Sequence, residues 1–242
     1  MRGCWLALLM GLLTWTGAQA ESAVPSHIRL ASEVWEEDTE ADGTGLAWDI
    51  LRQVFEPAGV ELAIQSVPYT RSIGLVQRGE ADAWVGSYRD EIDHGVIYPR
   101  WHYDADQIDA LGLSERPAPT LASIGTAQLV WMRGYAFQRY LPNLKSYREI
   151  QRDSDIPRML QVHRADFYID SRAEVEAVLG QATEPARFRI TPLTRLPLYL
   201  GFADNPRGRA LAQVFDTRMD ELVKNGGLRP VFARWQQPYP FE

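Results

Sequence analysis

Cysteine is nearly absent: the 242 residues contain one, Cys4. A lone cysteine closes no disulfide within its own chain and builds no thiolate metal cluster, so the fold must be held by its core. Histidine is scarce as well. His27, His94, His102 and His163 are scattered, and none has a second histidine at ligand spacing, so no metal site is expected. There is no Gly-x-Ser-x-Gly elbow, no phosphate loop and no dinucleotide fingerprint, which leaves neither a catalytic set nor a cofactor to expect. A basic stripe is also missing. With a net charge of -7, the chain is a poor fit for nucleic acid, whose phosphates need such a stripe.

What is present is a chain with 45% hydrophobic residues and no low-complexity tract, enough to bury a core in one large domain or two small lobes. Arg2, an apolar run from Trp5 to Trp15 and the small-x-small pattern Gly17-Ala18-Gln19-Ala20 have the three-part layout of a secretory signal peptide, residues 1–20, cleaved after Ala20. The alternative is an uncleaved anchor, but the run is shorter than the roughly 20 residues a spanning helix needs. No second apolar stretch of that length follows. Cys4 lies inside the run and would leave with it.

Downstream, the hydrophobic period alternates between two and about 3.6 residues. The pattern predicts strands at 27–31, 60–64 and 83–85, with helices at 46–55 and 70–77 between them. This order implies parallel pairing with right-handed crossovers. After Pro117 and Pro119 a second α/β set is expected. It has a strand at 128–132, a helix from Tyr135 to Leu141, a helix at 156–162 and a strand at 167–169, followed by a strand at 198–202 and a long helix at 207–223. Glu80-Ala81-Asp82-Ala83-Trp84-Val85-Gly86-Ser87 echoes Arg164-Ala165-Asp166-Phe167-Tyr168-Ile169-Asp170-Ser171, so the two sets are expected to be built alike. Asp82 and Asp166 precede their strands and read as turn residues.

In an open parallel sheet, ligands bind beyond the carboxyl ends of the strands. That rule selects Gly86, Ser87, Tyr88 and Arg89 in the first set, and Asp170 with Arg133, Gly134 and Tyr135 in the second. Arg89 suits a carboxylate, which a guanidinium grips with two parallel bonds, or else it is a surface residue paired with Asp90 or Glu91. Asp170 suits an ammonium group, or it is a helix N-cap. Trp35, after the first strand, can stack on a cation or serve as packing. Tyr69, after Pro68, reads equally as site or core.

Several segments together resemble the type II periplasmic solute-binding proteins, in particular the amino-acid-binding group associated with ABC transporters (bacterial extracellular solute-binding protein family 3). They are Thr44-Gly45-Leu46-Ala47-Trp48-Asp49-Ile50, Val67-Pro68-Tyr69-Thr70-Arg71 with Leu75 to Ala83, Arg164 to Asp170, Asn225-Gly226-Gly227-Leu228, and Arg234-Trp235. The resemblance spans about Ile28 to Trp235. It implies an α/β, two-lobed periplasmic-binding-protein-like type II fold, each lobe a central, mostly parallel sheet flanked by helices, with two hinge crossings. Lobe 1 would be residues 26–110 plus 198–242, and lobe 2 residues 111–197. It further implies a periplasmic monomer that captures a small-molecule ligand for an inner-membrane permease or receptor. Asp170 would contact the ligand amino group, and Gly86-Ser87 would supply hydrogen bonds. The family's carboxylate-binding arginine follows a Thr-x-x-Arg turn, whereas the segment Ser87 to Asp93 is shorter and Arg89 comes early. Either Arg89 takes over the carboxylate, or the ligand is not an ordinary α-amino acid. Two other functions share this fold: a ligand-sensing module, and an exported dehydratase- or lyase-like enzyme using Glu33 or Asp170.

Overall fold

The computed structural model describes residues 24–152 and 154–241. The expected signal peptide lies outside the described residues. The first half of the chain runs β1 (His27–Ser32), α1 (Leu46–Phe55), β2 (Glu61–Ser66), α2 (Tyr69–Gln77) and β3 (Ala83–Tyr88). In α1 the apolar residues recur around most of the helix, and Trp48, Ile50, Leu51, Val54 and Phe55 are all wholly buried. The helix therefore buries a broad face, with Asp49, Arg52 and Gln53 on the opposite side. β4 (Val96–Ile97) and β5 (Asp104–Leu113) follow.

A second half repeats the plan with β6 (Gln128–Met132), β7 (Ser146–Ile150), α3 (Ile156–Gln161), β8 (Phe167–Ser171) and α4 (Arg172–Gly180). The chain then returns through β9 (Phe188–Ala203) and ends in α5 (Pro206–Asn225) and α6 (Arg229–Arg234). Asn205 caps α5 by accepting from the Gly208 amide at 2.8 Å, and Gly226 ends it at φ 70. Among the described residues, no helix is long and apolar enough to cross a membrane.

The strand order is β2-β1-β3-β9-β5-β8-β6-β7, with β4 on β9. β1 pairs parallel with β2 and β3, and β6 pairs parallel with β7 and β8. Each parallel trio meets the long β5–β9 antiparallel ribbon, β3 on β9 and β8 on β5. The two halves therefore share one topology, each with its first strand central, its second outermost and its third against the ribbon. β5 and β9 are the two crossings between lobes.

Two expectations need correction. Tyr135 to Leu141 is not an α-helix; only a single 3-10 turn forms, at Phe137–Arg139. Tyr135 and Phe137 are both buried. Two buried rings two residues apart cannot share one helical face, and Pro142 blocks extension. The strand expected at 198–202 is the end of a 16-residue strand that begins at Phe188.

Candidate functional site

The parallel strands of each half end toward the other half, so the loops that follow them meet. After β1, the Thr39 hydroxyl donates to the Glu33 carbonyl at 2.7 Å and accepts from the Trp35 amide at 3.2 Å, which fixes the turn carrying Trp35. The six-membered edge of the Trp35 ring abuts Gly86, where φ is +85 and a Cβ would come within 2.6 Å of the ring. Glycine is required there on both counts. Trp35 also crosses to the other half, its Nε1 donating to the Tyr135 hydroxyl at 3.2 Å. Tyr69 joins them, edge-on to Tyr135 at 5.3 Å and 5.9 Å from Trp35.

Arg152 locks this aromatic corner. It donates to Tyr135 Oη at 2.7 Å, to Glu33 at 2.8 Å and to Glu174 of α4 at 2.7 Å. A second bridge between the halves joins Arg139 to Asp93 at 2.6 Å. At Gly134 (φ +91) the backbone comes so close to Thr70 that a Cβ would stand 2.5 Å from its methyl group.

Beside the corner lies a cavity of about 800 Å³. Its walls are the turn after β1, the start of β5, the start of α4, the middle of β9 and the chain around Trp235. Carboxylates dominate it. Glu91 is buried and accepts from Tyr69 Oη at 2.6 Å, Ser87 Oγ at 2.9 Å and the Tyr88 amide at 3.3 Å. Asp106 accepts from Tyr88 Oη at 2.8 Å, and Asp38 from the Ala47 amide at the start of α1 at 3.1 Å. Asp170 accepts from the Tyr168 hydroxyl and, at 2.8 Å, from the Ser171 amide.

Desolvation disfavours the charged form of each. Burial raises Glu91 to about 7 and Asp106 to about 6. Asp38 rises to about 7 through burial and the neighbouring Asp106, and Asp170 to about 8 through burial and Glu174. Asp104 is held well above the usual carboxylate range by burial and then by Asp38.

Six residues singled out from the sequence line this cavity: Trp35, Tyr69, Gly86, Tyr88, Tyr135 and Asp170. Ser87, Arg89, Arg133 and Gly134 do not. Ser87 stands behind the wall, holding Glu91. The Arg89 guanidinium donates to the carbonyls of Pro99 at 2.7 Å and Arg100 at 3.1 Å and sits 4.4 Å over the Tyr199 ring. Ser171 is the side-chain N-cap of α4, accepting from Glu174, while the Asp170 carboxylate takes the Ser171 amide. Asp82 and Asp166 do more than turn the chain: each is ion-paired, Asp82 with Arg29 and Arg207 and Asp166 with Arg116.

The sequence reading missed Asp38, Glu91, Asp104, Asp106 and Arg195. One signal was available for two of them, because Asp104 and Asp106 are two apart and a strand puts both on one side. Three polar residues in the first four of that strand hid it.

No protein-family model matches the chain, and no curated protein sequence matches it. Solved structures do match in shape. One is the substrate binding protein of an amino acid ABC transporter, with TM-score 0.65 and 17% identity over 86% of this chain and 98% of that one. Another is the GluR0 ligand-binding core from Nostoc punctiforme in complex with L-glutamate, at 0.66 and 14% over 87% and 100%. A third is a histidine kinase sensor domain similar to periplasmic binding proteins, at 0.67 and 12% over 86% and 95%. These likenesses establish the fold. The chain has the α/β, two-lobed periplasmic-binding-protein-like architecture that the sequence resemblance implied.

Proposed function

We propose that this chain is an exported, periplasmic solute-binding protein, a clamshell that closes on a small polar solute, an amino acid or a related carboxylate or amine, and presents it to an inner-membrane ABC-type permease. In this reading residues 1–20 are a cleaved signal peptide. Residues 26–110 with 198–242 form one lobe and 111–197 the other, and the protein acts as a monomer. Trp35, Tyr69, Gly86, Tyr88, Tyr135 and Asp170 contact the solute.

One observation carries the proposal. Segments trailing β1 and β3 in one half, and β6 and β8 in the other, converge on a single cavity beside the β5–β9 crossings. Closure there exchanges water for fixed polar groups around the ligand. The test is a thermal-shift screen of amino acids, amines and small organic acids, paired with small-angle scattering. A true ligand at a hundred times its Kd adds about 2.7 kcal/mol of stability and contracts the particle. Stability and dimensions unchanged across the whole panel overturn the reading.

A sensing role is the second reading, and the shape shared with the histidine kinase sensor domain favours it. Cross-linking in the native membrane separates the two by whether the captured partner is a permease or a receptor kinase.

A further inference from the structure

We propose that the cavity selects an organic cation carrying two or more amine or guanidine groups and no carboxylate. The inference rests on the solute-binding reading and narrows its ligand.

Nine carboxylate residues line the cavity, against two arginines, Arg172 and Arg195. Arg172 is already committed, paired with the buried Asp109, which is not on the wall, and with Glu176. Arg195 stands exposed on β9, where its charge acts on Asp104 and His102. Of the acids, Glu174 has a cationic partner in Arg152. Asp38, Glu91, Asp104, Asp106 and Asp170 have no ion-pair partner among the described residues. A surplus of this size in a partly enclosed space is unfavourable until positive charge enters. One cationic group leaves most of the surplus standing, while two or more reduce it further.

The walls agree with this sign. Trp35, Tyr69, Tyr88, Tyr103, Tyr135 and Trp235 all border the same space, and aromatic faces attract amines and guanidines. Tyr103 is wholly buried; the Gly86 amide approaches its hydroxyl oxygen, and the hydroxyl proton has no acceptor. That hydroxyl is a polar group on the wall left for a ligand to engage. Asp104 and Asp106 lie on one side of β5, so a cationic group entering beside Tyr88 meets both.

A ligand carboxylate finds little in return. Arg89, the residue best suited to it by sequence, is engaged with the Pro99 and Arg100 carbonyls and stacked on Tyr199. Any carboxylate in the cavity would stand among acids with only Arg195 to meet it.

Matched ligand pairs that differ only in the carboxylate test this directly. Calorimetric titration of the full chain compares agmatine with arginine, and cadaverine with lysine. The expected result is at least tenfold tighter binding of the decarboxylated member in each pair. A second arm uses the double variant Asp104→Asn with Asp106→Asn. Amides keep the contacts to Ala105 and Tyr88 while removing charge, so the fold survives and cadaverine affinity falls at least tenfold. Equal or tighter binding of arginine or lysine, tight binding of glutamate or a neutral amino acid, or a double variant of undiminished affinity overturns the inference and leaves the solute-binding reading intact. Silence from every solute, cationic or not, fails that reading instead.

Discussion

In the first half of the molecule, Asp82 stands just before β3, and its carboxylate accepts the amide of Arg29 in β1 at 2.8 Å. In the second half, Asp166 stands just before β8, and its carboxylate accepts the amide of Gln128, the first residue of β6, at 2.8 Å. In each case the aspartate's own amide donates back, Asp82 to the Arg29 carbonyl and Asp166 to the Gln128 carbonyl, both at 2.8 Å. The same residue ties the same two strands together in both halves. The surroundings differ. Asp82 is 1% exposed and holds two guanidinium groups, Arg29 at 2.7 Å and Arg207 of α5 at 2.9 Å. Burial alone would raise its carboxyl, but Arg29 and Arg207 more than offset this and hold it below the usual range. Asp166 has one partner, Arg116 at 2.8 Å, and is 20% exposed. One repeated device is thus a buried hub where α5 packs, and a lighter clip where no such helix covers it.

The comparison sets the order of expected effects. Asp82→Ala strands two arginines against a buried strand end and should cost about 3 kcal/mol in urea denaturation. Asp166→Ala should cost about 1 kcal/mol. Equal losses would break the claim that the first half carries the hub. Next comes Gly86→Ala, which forces a left-handed backbone on a residue with a Cβ and pushes into the Trp35 ring. It should cost about 2 kcal/mol and weaken whatever the cavity binds. A variant that is fully stable and binds unchanged would remove Trp35 from the wall.

The bridges between the halves are weaker. Arg152 and Arg139 are each 40% exposed, which limits what either contributes. Arg152 has two carboxylates and a tyrosine hydroxyl, and Arg139 has mainly Asp93. Arg152→Ala should therefore speed ligand release by about fivefold, roughly 1 kcal/mol, and Arg139→Ala by less. Stopped-flow dissociation checks the ranking, and a larger effect at Arg139 would invert it.

Legibility in the sequence followed the same division. Where apolar residues kept a clear period, as in Ile28 to Ala31, Leu46 to Phe55 and Ala83 to Val85, the elements were readable. The Ala-Asp echo gave away the repeated halves. The crossings were not readable, for physical reasons. β5 opens with Asp104-Ala105-Asp106-Gln107, residues depleted in strands because they usually face water, though here they face a cavity. β9 carries Pro192 and Pro197, which argue against a strand interior, yet it runs past both, its pairing with β5 slipping by one residue beside Pro192. Asp104, Asp106 and Arg195 of the cavity wall sit on these two strands, so part of the conflict between local preference and fold falls at the site. Arg89 follows one buried strand and Asp170 lies at the end of another. Position along the chain could not tell that one lines the cavity while the other is held by backbone carbonyls.

The smallest effect is also the one that most directly sharpens the contrast between the compensated acid of the first half and the uncompensated acids of the cavity. Asp82 is depressed, so its contribution is present above its unfolded value and is lost as pH falls through its folded one. The cavity acids run the other way. Asp106 near 6, Asp38 and Glu91 near 7 and Asp170 near 8 are all raised, so folding binds protons. Their contribution is fully present below about pH 4, near the unfolded carboxylate value, and is lost as pH climbs through 6 to 8. The ligand-free chain should therefore lose stability between about pH 5 and 8. A bound dication holds these carboxylates ionised and should flatten that loss. At pH 7 its binding should expel up to about two protons, and affinity should rise with pH. Titration calorimetry in buffers of different ionisation enthalpy measures the proton directly. Binding with no proton released at pH 7 would mean that the cavity acids are already ionised without a ligand, which is incompatible with a wall of nine carboxylate residues against two arginines.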